Sequence, residues 1–192
     1  MENIIFCSSP FQVLVAKEVV QTVSEDFIGI YLKMSNDARQ TFYAERMAEF
    51  CKEVIVLEGK TVLSDIQEAL KDRSIRNIYL ASLDNPVALS IFNPSTMSLY
   101  TFDDGSTSIV PLNLYTQNLE RSIPYTNFTL REVMSLSNRH YTVFEDCILF
   151  PKEKQVCLKL HLKPSHFHRA KNGKKISVFL GQFLGSLLYQ ED

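Results

Sequence analysis

Short apolar runs alternate with helical segments along the first hundred residues, and this alternation restricts the fold more than any other feature of the chain. Residues 3–7 form an apolar run typical of a strand buried on both faces. Phe11, Leu14, Val15 and Val19 then repeat at helical spacing. Further strands are predicted at residues 27–33, 54–57, 77–81 and 98–102, and further helices at 36–50, 61–72 and 86–92. The pattern predicts an α/β protein with a doubly wound parallel sheet.

The loop after the first strand contains Ser8, Ser9 and Pro10. Ser9 is suited to cap the following helix, and proline fits the first helical position because its missing N–H would have no partner there. Ser8, Ser9 and Gln12 would also lie at the sheet edge where doubly wound folds bind ligands. Two interpretations stay open: these residues contact a polar or anionic ligand, or the serines only cap the helix.

Two adjacent carboxylates, Asp103 and Asp104, follow the strand at residues 98–102, and Gly105 comes next. This order places acid at the carboxyl end of a strand, and glycine there allows a positive φ. Asp-Gly is also a common turn former, so the tripeptide alone is compatible with a turn that has no chemical role.

Composition excludes several classes of protein. Hydrophobic residues make up 45% and charged residues 22% of the 192 positions, as in an ordinary globular domain, and a net charge of -2 gives no argument for nucleic-acid binding. The four cysteines show no C-x-x-C spacing, so we expect free thiols.

Residues 1–3 do not begin a signal peptide, and no apolar run reaches the roughly 18 residues of a membrane span. We therefore expect a cytoplasmic protein, with any contact to the inner membrane being peripheral.

After residue 105 the pattern loosens into a polar connection at 109–125, a helix at 129–136 and a strand at 141–144. Residues 154–175 then carry lysine and arginine without any acidic residue. This segment begins as an amphipathic strand and continues as a linker, and it is either a solvated basic face or a surface that attracts phosphate groups. His161, His166 and His168 near Cys157 have irregular spacing for a zinc site, so we expect no metal.

The final segment resembles the start of a second domain. Residues 175–181 form a new apolar run, and the sequence ends at Asp192. We therefore divide the chain into a first domain at 1–153, a basic linker at 154–174 and the first strand of a further domain at 175–192.

Four stretches resemble glycosyltransferase family 52, the bacterial family that includes lipooligosaccharide α-2,3-sialyltransferases. They are residues 7–14, 100–105, 140–144 and 178–182, in the family's order. The resemblance implies a GT-B architecture of two Rossmann-like halves, of which this chain would hold the N-terminal, acceptor-side half. Phe183 departs from the proline that the family tends to have after Gly-Gln. We expect a truncated member that self-associates or is marginally stable.

The same resemblance implies the roles of the site residues. The Asp-Asp-Gly loop would supply the general base, for which we favour Asp103 without excluding Asp104. Ser8, Ser9, Gln12, Gly105 and Ser106 would contact substrate. The chain would be an inverting transferase of sialyltransferase type, or of the type of the family's glucosyl-transferring relatives. In the first case the donor would be CMP-sialic acid and the acceptor a terminal galactose of lipooligosaccharide, with no metal or other cofactor. Two alternatives stay open: an inactive acceptor-binding or interaction fragment, and an unrelated domain whose acidic strand end holds a cation.

The basic segment predicts binding to vesicles that contain anionic lipids. Because the attraction is electrostatic, bound protein should decrease as salt screens the charges. Cosedimentation with anionic and with neutral vesicles measures this binding at low and high salt. Equal recovery from both vesicle types would identify the segment as a solvated basic face.

Overall fold

The computed structural model describes residues 1–35, 38–59, 61–111 and 113–161. Its strands are β1 (Glu2–Cys7), β2 (Phe27–Lys33), β3 (Glu53–Glu58), β4 (Ile75–Leu80), β5 (Ser98–Phe102), β6 (Ser137–Thr142) and β7 (Gln155–Cys157). All of their pairings are parallel, and they form one sheet in the order β3-β2-β1-β4-β5-β6-β7. The α/β Rossmann-like sheet predicted from the sequence is thus confirmed.

Helices flank this sheet on both faces. They are α1 (Pro10–Val23), α2 (Ala38–Met47), α3 (Val62–Leu70), α4 (Pro86–Ser90), α5 (Leu114–Gln117) and α6 (Leu130–Leu136), with short 3-10 turns at Ser106–Ser108 and Lys152–Lys154. None of the helices in the described ranges combines the length and apolar character that a membrane span requires.

Alternating strand residues build two separate cores. On one face Ile4, Phe6 and Ile30 pack with residues of α3, α4 and α6. On the other face Ile5 and Tyr31 pack with residues of α1 and α2. Successive side chains of a strand point to opposite faces of the sheet. A strand that is apolar at nearly every position therefore needs helices packed on both faces. This double burial explains the continuous apolar runs in the sequence.

Strand order reverses beside β1. The chain adds β2 and β3 on one side of β1 and then crosses to β4 on the other side. The loops that follow β1 and β4 therefore diverge and leave a crevice at the carboxyl edge of the sheet. Both loops start a helix in the same way, with a polar cap and a proline: Ser9 before Pro10, and Asn85 before Pro86.

The structure differs from the predicted strands mainly at β6. We predicted a strand at residues 141–144, whereas β6 spans Ser137–Thr142 and begins directly after α6. Ser137, His140 and Thr142 are polar yet buried, because hydrogen bonds within the sheet satisfy Ser137 and His140. A polar strand of this kind has none of the apolar periodicity on which the prediction relied.

The C-terminal predictions fall mostly outside the described residues. The amphipathic strand at the start of the basic segment corresponds to β7, which pairs with β6. Residues 162–174 of the predicted linker and the predicted strand at 175–181 lie outside the described ranges. All four cysteines are free thiols, as predicted.

Gly29 of β2 gives a test of packing on the α2 face. A Cβ placed on Gly29 would lie 2.8 Å from Met47 Cε and 3.1 Å from Cys51 Sγ, both in buried side chains. Gly29→Val should lower the free energy of unfolding by about 1–3 kcal/mol through overpacking. Urea unfolding at fixed pH measures this change.

Met47→Ala supplies the matched control for this prediction. Alone it should destabilise by about 2–5 kcal/mol because it leaves a cavity. Combined with Gly29→Val it should cost less than the sum, since the valine occupies the space that the methionine vacates. Additive losses would show that the two side chains do not compete for this space.

Candidate functional site

The two adjacent aspartates after β5 contact different surroundings. Asp103 is wholly buried. Its Oδ2 accepts a hydrogen bond from the backbone N–H of Val143 at 2.6 Å, and its Oδ1 lies 3.2 Å from His140 Nε2. Its own N–H donates to the carbonyl of Tyr141 at 3.2 Å. Asp103 thus fastens the end of β5 to β6 from inside the protein.

Asp104 instead lies in the crevice and is partly exposed. Its carboxylate accepts hydrogen bonds from Gln12 Nε2, from Ser82 Oγ at 2.8 Å and from Tyr115 Oη at 3.1 Å. Burial raises the pKa of Asp104, while these three bonds act in the opposite direction and the negative charge of Asp84 adds to the increase. The result is a carboxyl group whose pKa lies above its ordinary value.

Gln12 joins the first loop to this carboxylate. Its Oε1 accepts from the Ser8 N–H at 2.6 Å and from Ser8 Oγ at 3.2 Å, so its Nε2 is directed at Asp104 and at Ser82 Oγ, 3.2 Å away. Ser9 caps α1 by accepting the Gln12 N–H at 3.3 Å. Of the residues predicted in this loop, Ser8 and Gln12 therefore lie in the site network, and Ser9 performs the capping role.

Gly105 and Ser106 form the exit from the acidic turn. Gly105 has φ 89° and ψ -146°, a conformation that residues with a Cβ rarely adopt. It turns the backbone away from the sheet directly after Asp104. Ser106 begins the 3-10 turn and is partly exposed at the same edge.

A second ring of polar side chains surrounds Asp104, and sequence reasoning did not identify it. Tyr115 Oη lies 3.4 Å from Asp84 Oδ1, and Asp84 pairs with Arg121 at 2.5 Å. Burial, together with the negative charges of Asp104 and Asp84, raises the pKa of Tyr115. Ser82 and Asp84 follow β4 and precede Asn85-Pro86. Asn85-Pro86 begins a helix with a polar cap and a proline, as Ser9-Pro10 does after β1, and this similarity could have identified the loop after β4 as part of the site.

His140 and Cys147 also escaped the sequence analysis as site residues. With Asp103 they form a buried group whose ligand-type atoms all lie within 4.8 Å of one another. Burial lowers the pKa of His140, but the hydrogen bond and charge of Asp103, with a further contribution from Cys147, outweigh it and raise the pKa overall. Burial raises the pKa of Cys147, yet the hydrogen bond and charge of His140 lower it overall.

These three side chains supply the nitrogen, sulfur and oxygen donors that Zn²⁺ accepts in proteins. The same atoms also pair with one another, His140 Nε2 with Asp103 Oδ1, so the group is satisfied as a hydrogen-bonded network. His161 lies elsewhere, with Nδ1 2.9 Å from Glu18 of α1, and His166 and His168 fall outside the described residues. Our expectation of a metal-free site stays a prediction.

Comparison with known sequences gives one family and two relatives. The family model described as glycosyltransferase family 52 matches residues 24–191. An N-acetyllactosaminide α-2,3-sialyltransferase of Haemophilus influenzae is 26% identical over 161 residues, which cover 74% of this chain and 53% of the relative. A CMP-N-acetylneuraminate:β-galactoside α-2,3-sialyltransferase of Pasteurella multocida is 24% identical over 208 residues, covering 99% of this chain and 65% of the relative. The chain thus spans between half and two thirds of the length of these relatives.

The raised pKa of Asp104 predicts a specific dependence of stability on pH. Between about pH 4, the ordinary pKa of an aspartate, and the raised pKa, the folded protein keeps a proton that the unfolded chain has lost. The free energy of unfolding should therefore fall as pH rises through this window. Asp104→Asn removes this titration, so the variant should gain stability relative to the unchanged protein as pH rises.

Urea unfolding at a series of pH values tests this expectation. Asp146→Asn is the matched control, because Asp146 is an exposed aspartate in the loop after β6. Parallel pH curves for Asp104→Asn and the unchanged protein would contradict the prediction.

Proposed function

The chain belongs to glycosyltransferase family 52, and from this premise we propose that it transfers sialic acid from CMP-sialic acid to a terminal galactose of lipooligosaccharide, with inversion at the transferred carbon. Both relatives are named α-2,3-sialyltransferases, one for N-acetyllactosaminide and one for β-galactoside acceptors. The observation that carries the proposal is the Asp104 carboxylate, which lies in the crevice beside the point where strand order reverses.

Asp104 has the properties of a general base. A sugar hydroxyl is a poor nucleophile until a carboxylate takes its proton, and a pKa raised toward the working pH makes the carboxylate a better acceptor. As the hydroxyl oxygen bonds to the sialic acid carbon, the bond to the CMP oxygen breaks and CMP leaves with the electron pair. The hydroxyl proton moves to Asp104.

The carboxylate of Asp104 can accept one more hydrogen bond than its described partners donate. A carboxylate has about four acceptor positions. Ser82 and Tyr115 use both positions on Oδ2, whereas Gln12 uses one on Oδ1. Within the described part of the chain, one acceptor position on Oδ1 therefore remains for the acceptor hydroxyl.

Asp103 was our preference from sequence, but its surroundings support Asp104 instead. The Asp103 side chain has no exposed surface, and both of its oxygens have partners inside the protein. Because the carboxylate is covered by protein, a substrate hydroxyl could reach it only if the surrounding residues moved apart. We therefore assign the base to Asp104 and give Asp103 a structural task.

The residues around Asp104 are proposed to orient the acceptor sugar. Ser8, Ser82 and Ser106 are partly exposed and lie on three different loops of the same edge. The hydroxyl protons of Ser8 and Ser82 are donated to Gln12 Oε1 and Asp104 Oδ2, so their oxygens can accept from sugar hydroxyls. A serine hydroxyl such as that of Ser106 can both donate and accept. The described residues form one wall of the proposed cleft, so acceptor binding without turnover is the second candidate function, and contact with the inner membrane stays a prediction for the basic segment.

The decisive assay incubates the purified chain with CMP-sialic acid and a terminal-galactose acceptor and detects both CMP and the sialylated product. Asp104→Asn should lower kcat by about 10²- to 10⁴-fold, the contribution of a positioned general base, with little change in KM. Asp146→Asn should keep the activity of the unchanged protein. Full activity of Asp104→Asn would remove Asp104 from the role.

A folded chain that forms neither product would reject the transfer activity for this chain. Binding of the same acceptor without donor, measured by ligand-observed NMR, would then identify an acceptor-binding module. Absence of both turnover and binding would contradict both candidate functions.

A further inference from the structure

A buried polar network lies directly behind the acidic turn, and no step of the proposed transfer uses it. It consists of Asp103 after β5, Thr101 within β5, His140 within β6, and Cys147 in the loop that follows β6. All four side chains are buried. Burying so many polar groups is unfavourable unless each has a partner, so the partners indicate what the network does.

The imidazole of His140 is held on both nitrogens and on one face. Nδ1 lies 3.0 Å from Thr101 Oγ1, which in turn lies 2.9 Å from Ser137 Oγ. Nε2 lies 3.2 Å from Asp103 Oδ1, and the ring of Phe150 stacks on the imidazole at 4.4 Å. The raised pKa of His140 favours the protonated ring, whose Nε2–H donates a hydrogen bond to the Asp103 carboxylate.

This contact lies beside an irregularity in the sheet. Leu99 of β5 is paired with Ser137 of β6, but Thr101 is paired with His140, so β6 contains one more residue than β5 over this stretch. Such irregularities redirect side chains and often occur next to functional sites. Here the shift brings the His140 imidazole opposite Thr101 and behind Asp103.

The backbone transmits this restraint to Asp104. Asp103 is fixed by its N–H to the Tyr141 carbonyl, by Oδ2 to the Val143 N–H and by Oδ1 to His140. Asp104 follows it directly and precedes Gly105, whose φ of 89° is one that residues with a Cβ rarely adopt. Asp103 thus holds this turn on the side facing the sheet, while Gln12, Ser82 and Tyr115 hold the Asp104 carboxylate on the crevice side.

We propose that His140 is a positioning residue for the acidic turn: by holding the Asp103 carboxylate it keeps the Asp104 carboxylate in place for the acceptor hydroxyl. The inference rests on the proposed function only in naming Asp104 as the base. Cys147, in the loop that follows the strand of His140, favours the charged form of the imidazole, and its own lowered pKa agrees with that arrangement. The titratable groups that face His140 among the described residues are Asp103 and Cys147.

The first test requires no turnover. Titration of ¹³C-labelled aspartate carboxyls by NMR, with the Asp104 signal assigned by Asp104→Asn, follows the pKa of Asp104 directly. Since burial is the main cause of its raised pKa, His140→Leu should move that pKa toward the ordinary value as the turn loosens. His140→Gln retains an amide donor for Asp103 and should restore part of the shift.

Cys51→Ser is the matched control. Cys51 is also a buried free thiol, but it packs in the core on the α2 face and is not a member of the network of Asp103, Thr101, His140 and Cys147. This variant reports the effect of a general loss of stability and should leave the Asp104 titration unchanged. An Asp104 titration that is identical in folded His140→Leu and in the unchanged protein would overturn the proposal.

Turnover supplies the second test. His140→Leu should lower kcat by about 10- to 100-fold, as expected for a misplaced catalytic group, with KM changed little and the acidic limb of the pH profile moved with the Asp104 pKa. If the unchanged protein shows no turnover, the proposed function fails, while the NMR titration still decides the positioning role. One equivalent of zinc in the purified chain, lost in Cys147→Ser, would overturn the proposal in favour of a metal site.

Discussion

The hydrogen bond from Gln12 to Asp104 joins the two parts of the molecule that the site depends on. Gln12 lies in the first turn of α1, after β1, and Asp104 follows β5, with β4 between these strands in the sheet. The contact exists because parallel strands bring all their carboxyl ends to one edge and because strand order reverses beside β1. Ser82, after β4, completes the bridge by bonding to both side chains.

Two adjacent aspartates acquire different tasks from their surroundings alone. At the end of β5, Asp103 contacts the sheet interior and Asp104 the crevice. The buried carboxylate is bonded to a histidine and a backbone N–H, which fixes the turn. The second is bonded to neutral side chains, and the bonds to residues that the structure describes leave one acceptor position on Oδ1. The same residue type thus serves as a structural fastener and as the proposed base, as occurs in enzymes whose paired carboxylates have separate environments.

The sequence was sufficient for the sheet and for the residues next to its strand ends. Apolar periodicity predicted β1 to β5 and their helices, and polar residues after those strands identified Ser8, Gln12, Asp103 and Asp104. It was insufficient where a residue enters the site through tertiary contact. Tyr115 comes from a short helix within the stretch at 109–125, which we predicted only as a polar connection. His140 escaped because β6 is a polar strand, whose buried side chains are satisfied only once β5 lies beside it.

Charge balance distinguishes Asp104 from the other carboxylates around the crevice. Asp84 pairs with Arg121, and Asp103 contacts His140, whose pKa is raised. The hydrogen-bond partners of Asp104 in the described part of the chain are Gln12, Ser82 and Tyr115, all of them neutral. A cation at this position would stabilise the ionised form and lower the pKa, which would weaken the carboxylate as a proton acceptor. The neutral donors orient the carboxylate, and although they lower its pKa, burial keeps that pKa above the ordinary value of an aspartate. This combination suits a base that acts on a sugar hydroxyl.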